Sequence, residues 1–337
     1  MSGLRLADTW RCGSAALGCV IGLLCFSSTA VRADNIVVAD YGAAPGGFPY
    51  AVALAKGYFK DEGTNITGIL SSQGGGTSVR NMIAGGVAYG DINPAAVLSA
   101  TLQGAKLKIV SDNVLLVSDL VWAVKQDSPI KTVADIKGKK IGYTNPKSTT
   151  EALTLGLLQY AHLDRSEVEM VKTGGFGEGV AALDLGVIDI APIPEPLWAK
   201  YSTKYRVAVL GSDALPALDN TVGVTTAQAA ETQGELIRAI IRARRRGVQF
   251  LYAHPDEAGT IVAEAYKLDP EVGRRAVRHL IGINVGGAPY YGEGRFHTAN
   301  MKRMLALQVE LGAVPTPGDV TPIIDMQFLP DDLKTPE

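Results

Sequence analysis

Several short stretches of this chain place small polar residues where apolar strands give way to helices. The first is Gly74-Gly75-Gly76-Thr77-Ser78. Bare glycine amides let an oxyanion come close, and the helix N-terminus beyond them is electropositive. The competing reading is a tight turn in which Thr77 is an ordinary cap. The second stretch is Asn145-Pro146-Lys147-Ser148-Thr149-Thr150-Glu151. Its hydroxyls and amides could hold an anionic head group, with Lys147 adding a positive charge and Asn145 lying alongside. Ser148 and Glu151 also fit a capping box, which would use some of those donors, and Lys147 could equally be a solvated lysine.

Five further residues join this candidate ligand-binding set. Asn93, before Pro94, offers both a donor and an acceptor at a strand end, or is a turn residue. Gly47-Phe48 lies in the first strand-to-helix loop, where the ring could wall a ligand or be a core aromatic. Phe176, flanked by Gly175 and Gly177, is harder to assign to a core. Glu195, between Pro194 and Pro196, speaks to ligand charge. A carboxylate in a cleft favours an amine or N–H donor over a bare anion. Its alternative is a helix N-terminal acid ahead of Trp198. The run Arg238, Arg242, Arg244, Arg245 and Arg246 reads as a solvated helix face.

Other chemistries find little support. No Lys-Ser or Lys-Thr follows the glycines, so a nucleotide P-loop does not fit, and Val180 stands where the Gly175-Phe176-Gly177 stretch would need a third dinucleotide-binding glycine. There is no Gly-x-Ser-x-Gly elbow. The histidines, His162, His254, His279 and His297, fall on expected helices or helix ends, and no two have zinc-pair spacing. No catalytic residue, metal or cofactor is expected. A formal net charge of −2 gives no sign of a nucleic-acid surface.

The elements that must position these residues alternate. Strands are expected at 35–39, 66–70, 91–93 and 107–111, then at 120–125, 140–143, 169–172, 188–193, 206–210 and 221–225, with helices between them. Such alternation implies α/β units with parallel sheets. From Ala227 the chain reads as helical, over 227–253, 255–266, 270–280 and 295–311. Two similar units, with strand-like joining segments at 117–125 and 220–225, imply two lobes and a hinge of two strand crossovers. The expected division is 34–117 with 222–337 as one lobe and 118–221 as the other. Ligands of open α/β sheets bind beyond the carboxyl ends of the strands, in the cleft between lobes.

Residues 1–33 read as an export signal: Arg5 and Arg11, an apolar run from Gly13 to Ser28, and Val31-Arg32-Ala33 before Asp34. All three cysteines, Cys12, Cys19 and Cys25, lie there, so cleavage would leave none. It would also remove Arg5, Arg11, Arg32 and Asp8, taking the net charge from −2 to −4. Cys19 has Ala16 where a lipoprotein signal has a large aliphatic residue three places before the cysteine, so lipid anchoring is not expected.

Several stretches together resemble the SsuA/THI5-like, or NMT1-like, periplasmic binding proteins for nitrate, sulfonates, taurine and thiamine precursors. They are residues 49–63 (PYAVALAKGYFKDEG), 74–78, 135–143 (DIKGKKIGY), 186–196 (GVIDIAPIPEP) and 324–330 (IDMQFLP). The resemblance implies a type II periplasmic-binding-protein fold, delivery of a small polar or anionic organic molecule to an ABC transporter permease, periplasmic localisation and a monomer. It favours ligand contact at 74–78. The rival readings it raises are a THI5-like thiamine-pyrimidine synthase, which needs a cysteine-rich iron segment the mature chain would lack, and the ligand-binding module of a sensor.

Overall fold

The computed structural model describes residues 34–335, except 73, 147 and 316–318; the expected export signal lies outside the described residues. Strands β1 (Asp34–Ala39), β2 (Ile66–Ser72), β3 (Gly90–Ile92) and β4 (Leu107–Val114) alternate with helices α1 (Phe48–Ala55), α2 (Tyr58–Asp61), α3 (Gly75–Ala84) and α4 (Pro94–Leu102). Then come β5 (Val121–Lys125), β6 (Lys140–Tyr143), α5 (Thr149–Tyr160), β7 (Glu169–Lys172), α6 (Phe176–Asp184), β8 (Ala191–Ile193), α7 (Leu197–Tyr201), β9 (Tyr205–Leu210) and α8 (Gly211–Ala214). The chain returns through β10 (Thr221–Thr226) to α9 (Ala227–Thr232), α10 (Gly234–Ala253), α11 (Pro255–Tyr266) and α12 (Pro270–Gly282). It ends with the hairpin β11 (Asn284–Val285) and β12 (Ala288–Pro289), then β13 (Tyr291–Gly294) and α13 (Thr298–Glu310).

The first sheet has the order β13-β4-β10-β3-β1-β2. Here the expectation of a parallel sheet holds only for β1 with β2 and β3; β10 runs antiparallel to β3 and β4, and β13 antiparallel to β4. The reason is topological. β10 enters where β3 and β4 end, pairing Thr221 with Val114, so it must run back along them. The second array combines an antiparallel β8-β5-β9 sheet with the parallel pair β6–β7. An isolated parallel bridge, Ile141 to Ile190, joins the two parts.

Apolar runs make these strands. Ile36, Val37 and Val38 are buried in succession, as expected of a strand covered on both faces. The long α10 turns Ile237, Ile240, Ile241, Val248 and Leu251 inward. Gly247 has no Cβ to meet the Pro49 carbonyl, and this lets α10 lie against α1. Helix α13 contributes to two cores: Met301 and Leu305 to the first sheet's, Met304 and Leu307 to the second's.

Three readings need correction. Residues 227–253 form two helices broken at Gln233, whose φ of −131° is not helical. The stretch from Arg295 becomes a helix only at Thr298, after a strand. The arginine run is not a solvated face throughout. Arg244 is 1% exposed and donates to the carbonyls of Gly292 (2.6 Å) and Asn113 (2.5 Å). Arg242, Arg245 and Arg246 pair with Glu62, Glu293 and Asp61.

Candidate ligand-binding site

Register defines two rims. β1, β2 and β3 are parallel and end together, with the start of β10 beside them. This first rim therefore carries Asp40, Gly74 and Asn93. β6 and β7 also end together, the segment through β8 runs with them, and β5 begins and β9 ends at that level. The second rim carries Thr144, Thr173 and Glu195. Both crossovers, residues 115–120 and 211–220, join the first rim to the second. They are tied to each other by the Gly211 N–H to the Leu120 carbonyl at 2.9 Å.

At the first rim, α3 starts at Gly75, ahead of the cap read at Thr77. Gly74, with φ +73°, is its N-cap, so Gly75 and Gly76 are helical and Thr77 is not the cap. The first-turn amides of such a helix have no intrahelical acceptor. Gly75 packs so closely on Ala96 of α4 that an added Cβ would lie 2.6 Å from it. The Thr77 hydroxyl accepts from Arg80 Nη2 at 3.0 Å, which folds a guanidinium over the helix start. Asp40 takes a left-handed conformation, φ +53°, and its Oδ1 accepts the Gly74 N–H at 3.3 Å. Burial raises its carboxyl above the ordinary range, partly opposed by that hydrogen bond. Asp40 and Arg80 were not legible as site residues. Nothing local distinguishes them from loop and surface charges, and only the parallel register brings Asp40 to Gly74.

Asn93 does lie on this rim, but both ends of its amide are engaged. Oδ1 accepts the Ala95 N–H at 2.9 Å as the α4 cap, and Nδ2 donates to the Asn220 carbonyl at 3.1 Å, tying the rim to the second crossover. Gly47 and Phe48 are buried, and Phe48 packs edge-on against Tyr266 with centroids 5.1 Å apart. The structure therefore gives Phe48 its core reading.

At the second rim, Ser148 caps α5 as expected, accepting the Glu151 N–H at 3.2 Å. Its hydroxyl also belongs to a triangle with Thr144 and Thr150, with sides of 2.7, 2.9 and 3.2 Å. Thr149 is the half-buried first residue of α5. Asn145 Nδ2 donates to the Gly174 carbonyl at 2.8 Å, bringing the loops after β6 and β7 together. Phe176 opens α6 and is 36% exposed. Lys147 lies outside the described residues.

Glu195 is on the second rim but 1% exposed. Oε2 accepts the Ala199 N–H at 3.0 Å in α7, and Oε1 meets His279 Nδ1 of α12 at 2.6 Å. The helix-start reading is the one the geometry supports. His279, one of the histidines expected on a helix, thus meets a candidate residue directly. Its imidazole is drawn down by burial, but the Glu195 hydrogen bond and charge outweigh this and raise it. Beside it, Asp119 of the first crossover accepts from Tyr290 Oη (3.1 Å) and the Glu195 N–H (3.3 Å). Burial pushes Asp119 up to about 7, with the Tyr290 hydrogen bond opposing. No helix among the described residues is long and apolar enough to cross a membrane.

This geometry has relatives. The NMT1/THI5 like family model matches residues 45–258, and the chain belongs to that family. It is 25% identical over 301 residues to the riboflavin-binding protein RibY of Chloroflexus aurantiacus, covering 84% of this chain and 82% of RibY. Its fold matches the periplasmic aliphatic sulphonate binding protein SsuA from Escherichia coli, with a TM-score of 0.73 at 18% identity over 87% of this chain and 92% of that one. The desulfurization enzyme DszB shares the fold at a TM-score of 0.64 and 15% identity, over 88% and 97% of the two chains. The fold is thus that of type II periplasmic binding proteins, shared by ABC-importer solute-binding proteins and by an enzyme.

Proposed function

We propose that this chain is an extracytoplasmic solute-binding protein that captures a small polar organic molecule between two lobes and delivers it to an ABC permease as a monomer. The lobes are 34–117 with 222–337, and 118–221. The observation that carries this reading is that both crossovers leave from the two rims holding the candidate residues. A rotation about the crossovers would bring Gly75, Gly76 and Thr77 towards Ser148, Thr149 and Phe176.

The solute class follows from the first rim. Asp40 sets a partly buried carboxylate beside the amides that would receive an oxyanion. A bare inorganic anion meets repulsion there, whereas a zwitterion or an N–H-bearing heterocycle satisfies both groups. Phe176 is exposed enough to offer a heterocycle an aromatic face. The riboflavin binding named for RibY is consistent with this class.

Riboflavin fluorescence quenching, with a thermal-shift panel of pyrimidines, amino acids, sulfonates, carboxylates and nitrate, tests the reading. A solute at 100 times its Kd should stabilise the protein by about 2.7 kcal/mol. Turnover of a panel member, or binding of nitrate alone, would overturn it.

A further inference from the structure

Each crossover carries a buried aspartate, and the two are treated differently. Asp119 on the first has a donor for each oxygen. Asp219 on the second is 0% exposed, and neither of its oxygens has a donor among the described residues. Its carboxyl lies instead against that of Asp112 on β4, also 0% exposed, whose Oδ1 has no donor either. Asp112 Oδ2 accepts the His297 N–H at 2.9 Å.

Two ionised carboxylates in contact and out of water repel, and here they would leave three oxygens unpaired. One proton between them converts the contact into an O–H···O hydrogen bond. The cation facing the pair is already engaged. Arg303 of α13 donates Nε to the Ala217 carbonyl at 3.0 Å and Nη2 to Asn300 Oδ1 at 2.5 Å. From the segment before α13, His297 Nδ1 lies 3.6 Å from Asp112 Oδ2 and 3.0 Å from the Arg295 carbonyl.

We propose that Asp112 and Asp219 hold one proton between them, and that this proton pins the second crossover to the first sheet. Losing it sets two buried negative charges side by side and loosens that crossover, so the joint between the sheets responds to pH. Burial first, and then the charge and hydrogen bond of Asp112, push Asp219 well above the ordinary carboxyl range, with Arg303 opposing. The proposal is independent of which solute binds.

Thermal unfolding of the mature chain from pH 4.5 to 9, wild type against Asp219→Asn, tests it. The amide supplies a donor at every pH. The two proteins should be close in Tm at pH 4.5, with the variant's advantage widening to about 2 °C or more by pH 9. A constant difference, or a variant less stable throughout, would overturn the proposal. Should that variant fail to fold, carbon-13 NMR of wild-type aspartate carboxyls decides. A titration well above the ordinary carboxyl range that belongs to Asp219 and is separate from that of Asp119 is expected; Asp219 titrating as an ordinary carboxyl sinks the idea.

Discussion

The two rims hold similar numbers of polar groups, but their bonding states differ. On the second, the groups largely satisfy one another: three hydroxyls close a triangle, Asn145 holds Gly174, and Glu195 is shared between His279 and Ala199. On the first, Asn93 is engaged at both ends, but Asp40 accepts a single long hydrogen bond among the described residues and the glycine amides of α3 lie at a helix start. Groups already paired add rigidity, while groups with unmet capacity discriminate among ligands. Changes at the second rim should therefore register in stability, and changes at the first in affinity.

The largest expected effect is at Asp119, where the second rim meets the first crossover. With its folded carboxyl at about 7 against an ordinary 3.8, the folded state keeps a proton that the unfolded chain loses. Its contribution to stability, full below about pH 4, should be lost as pH rises to about 7, at about 1.4 kcal/mol per pH unit, and then level off. Asp119→Asn should flatten that slope in denaturant titrations at pH 4.5 and 7. An identical slope in both proteins would place the proton elsewhere.

Next in size is Asp40→Asn, which keeps the left-handed backbone comfortable and the Gly74 acceptor in place. Calorimetry should show the panel's best solute bound about tenfold to a hundredfold more weakly, with the free protein's Tm unmoved. Lost stability at unchanged affinity would invert the comparison. Smallest is Ser148→Ala, expected to cost about 1 kcal/mol of stability through the α5 cap. Its chemical unfolding would contradict the contrast if only affinity moved.

Much of this was legible locally. Strand runs such as 35–39, the Ser148 cap and the order of alternating elements follow from neighbouring residues alone. The chemistry of the rims was less so. Glu195 and His279 are 84 positions apart, and Asp112 meets Asp219 only because β10 returns beside β4. A buried Arg244 looks like its half-buried neighbours until β13, itself unread, supplies the Gly292 carbonyl beneath it. Long-range partners decide which polar residues are spent, and sequence spacing does not encode them.

In the two-lobed reading proposed above, helix α13 gives the joint a fulcrum. Because Met301 and Met304 seat in different cores, the rims cannot part by sliding unless one of those seats empties. Motion that keeps both seats filled must roll about the helix, and unbranched, pliable thioethers suit such a bearing. The two rims would then swing through a wide arc while the edge beside α13 barely stirs.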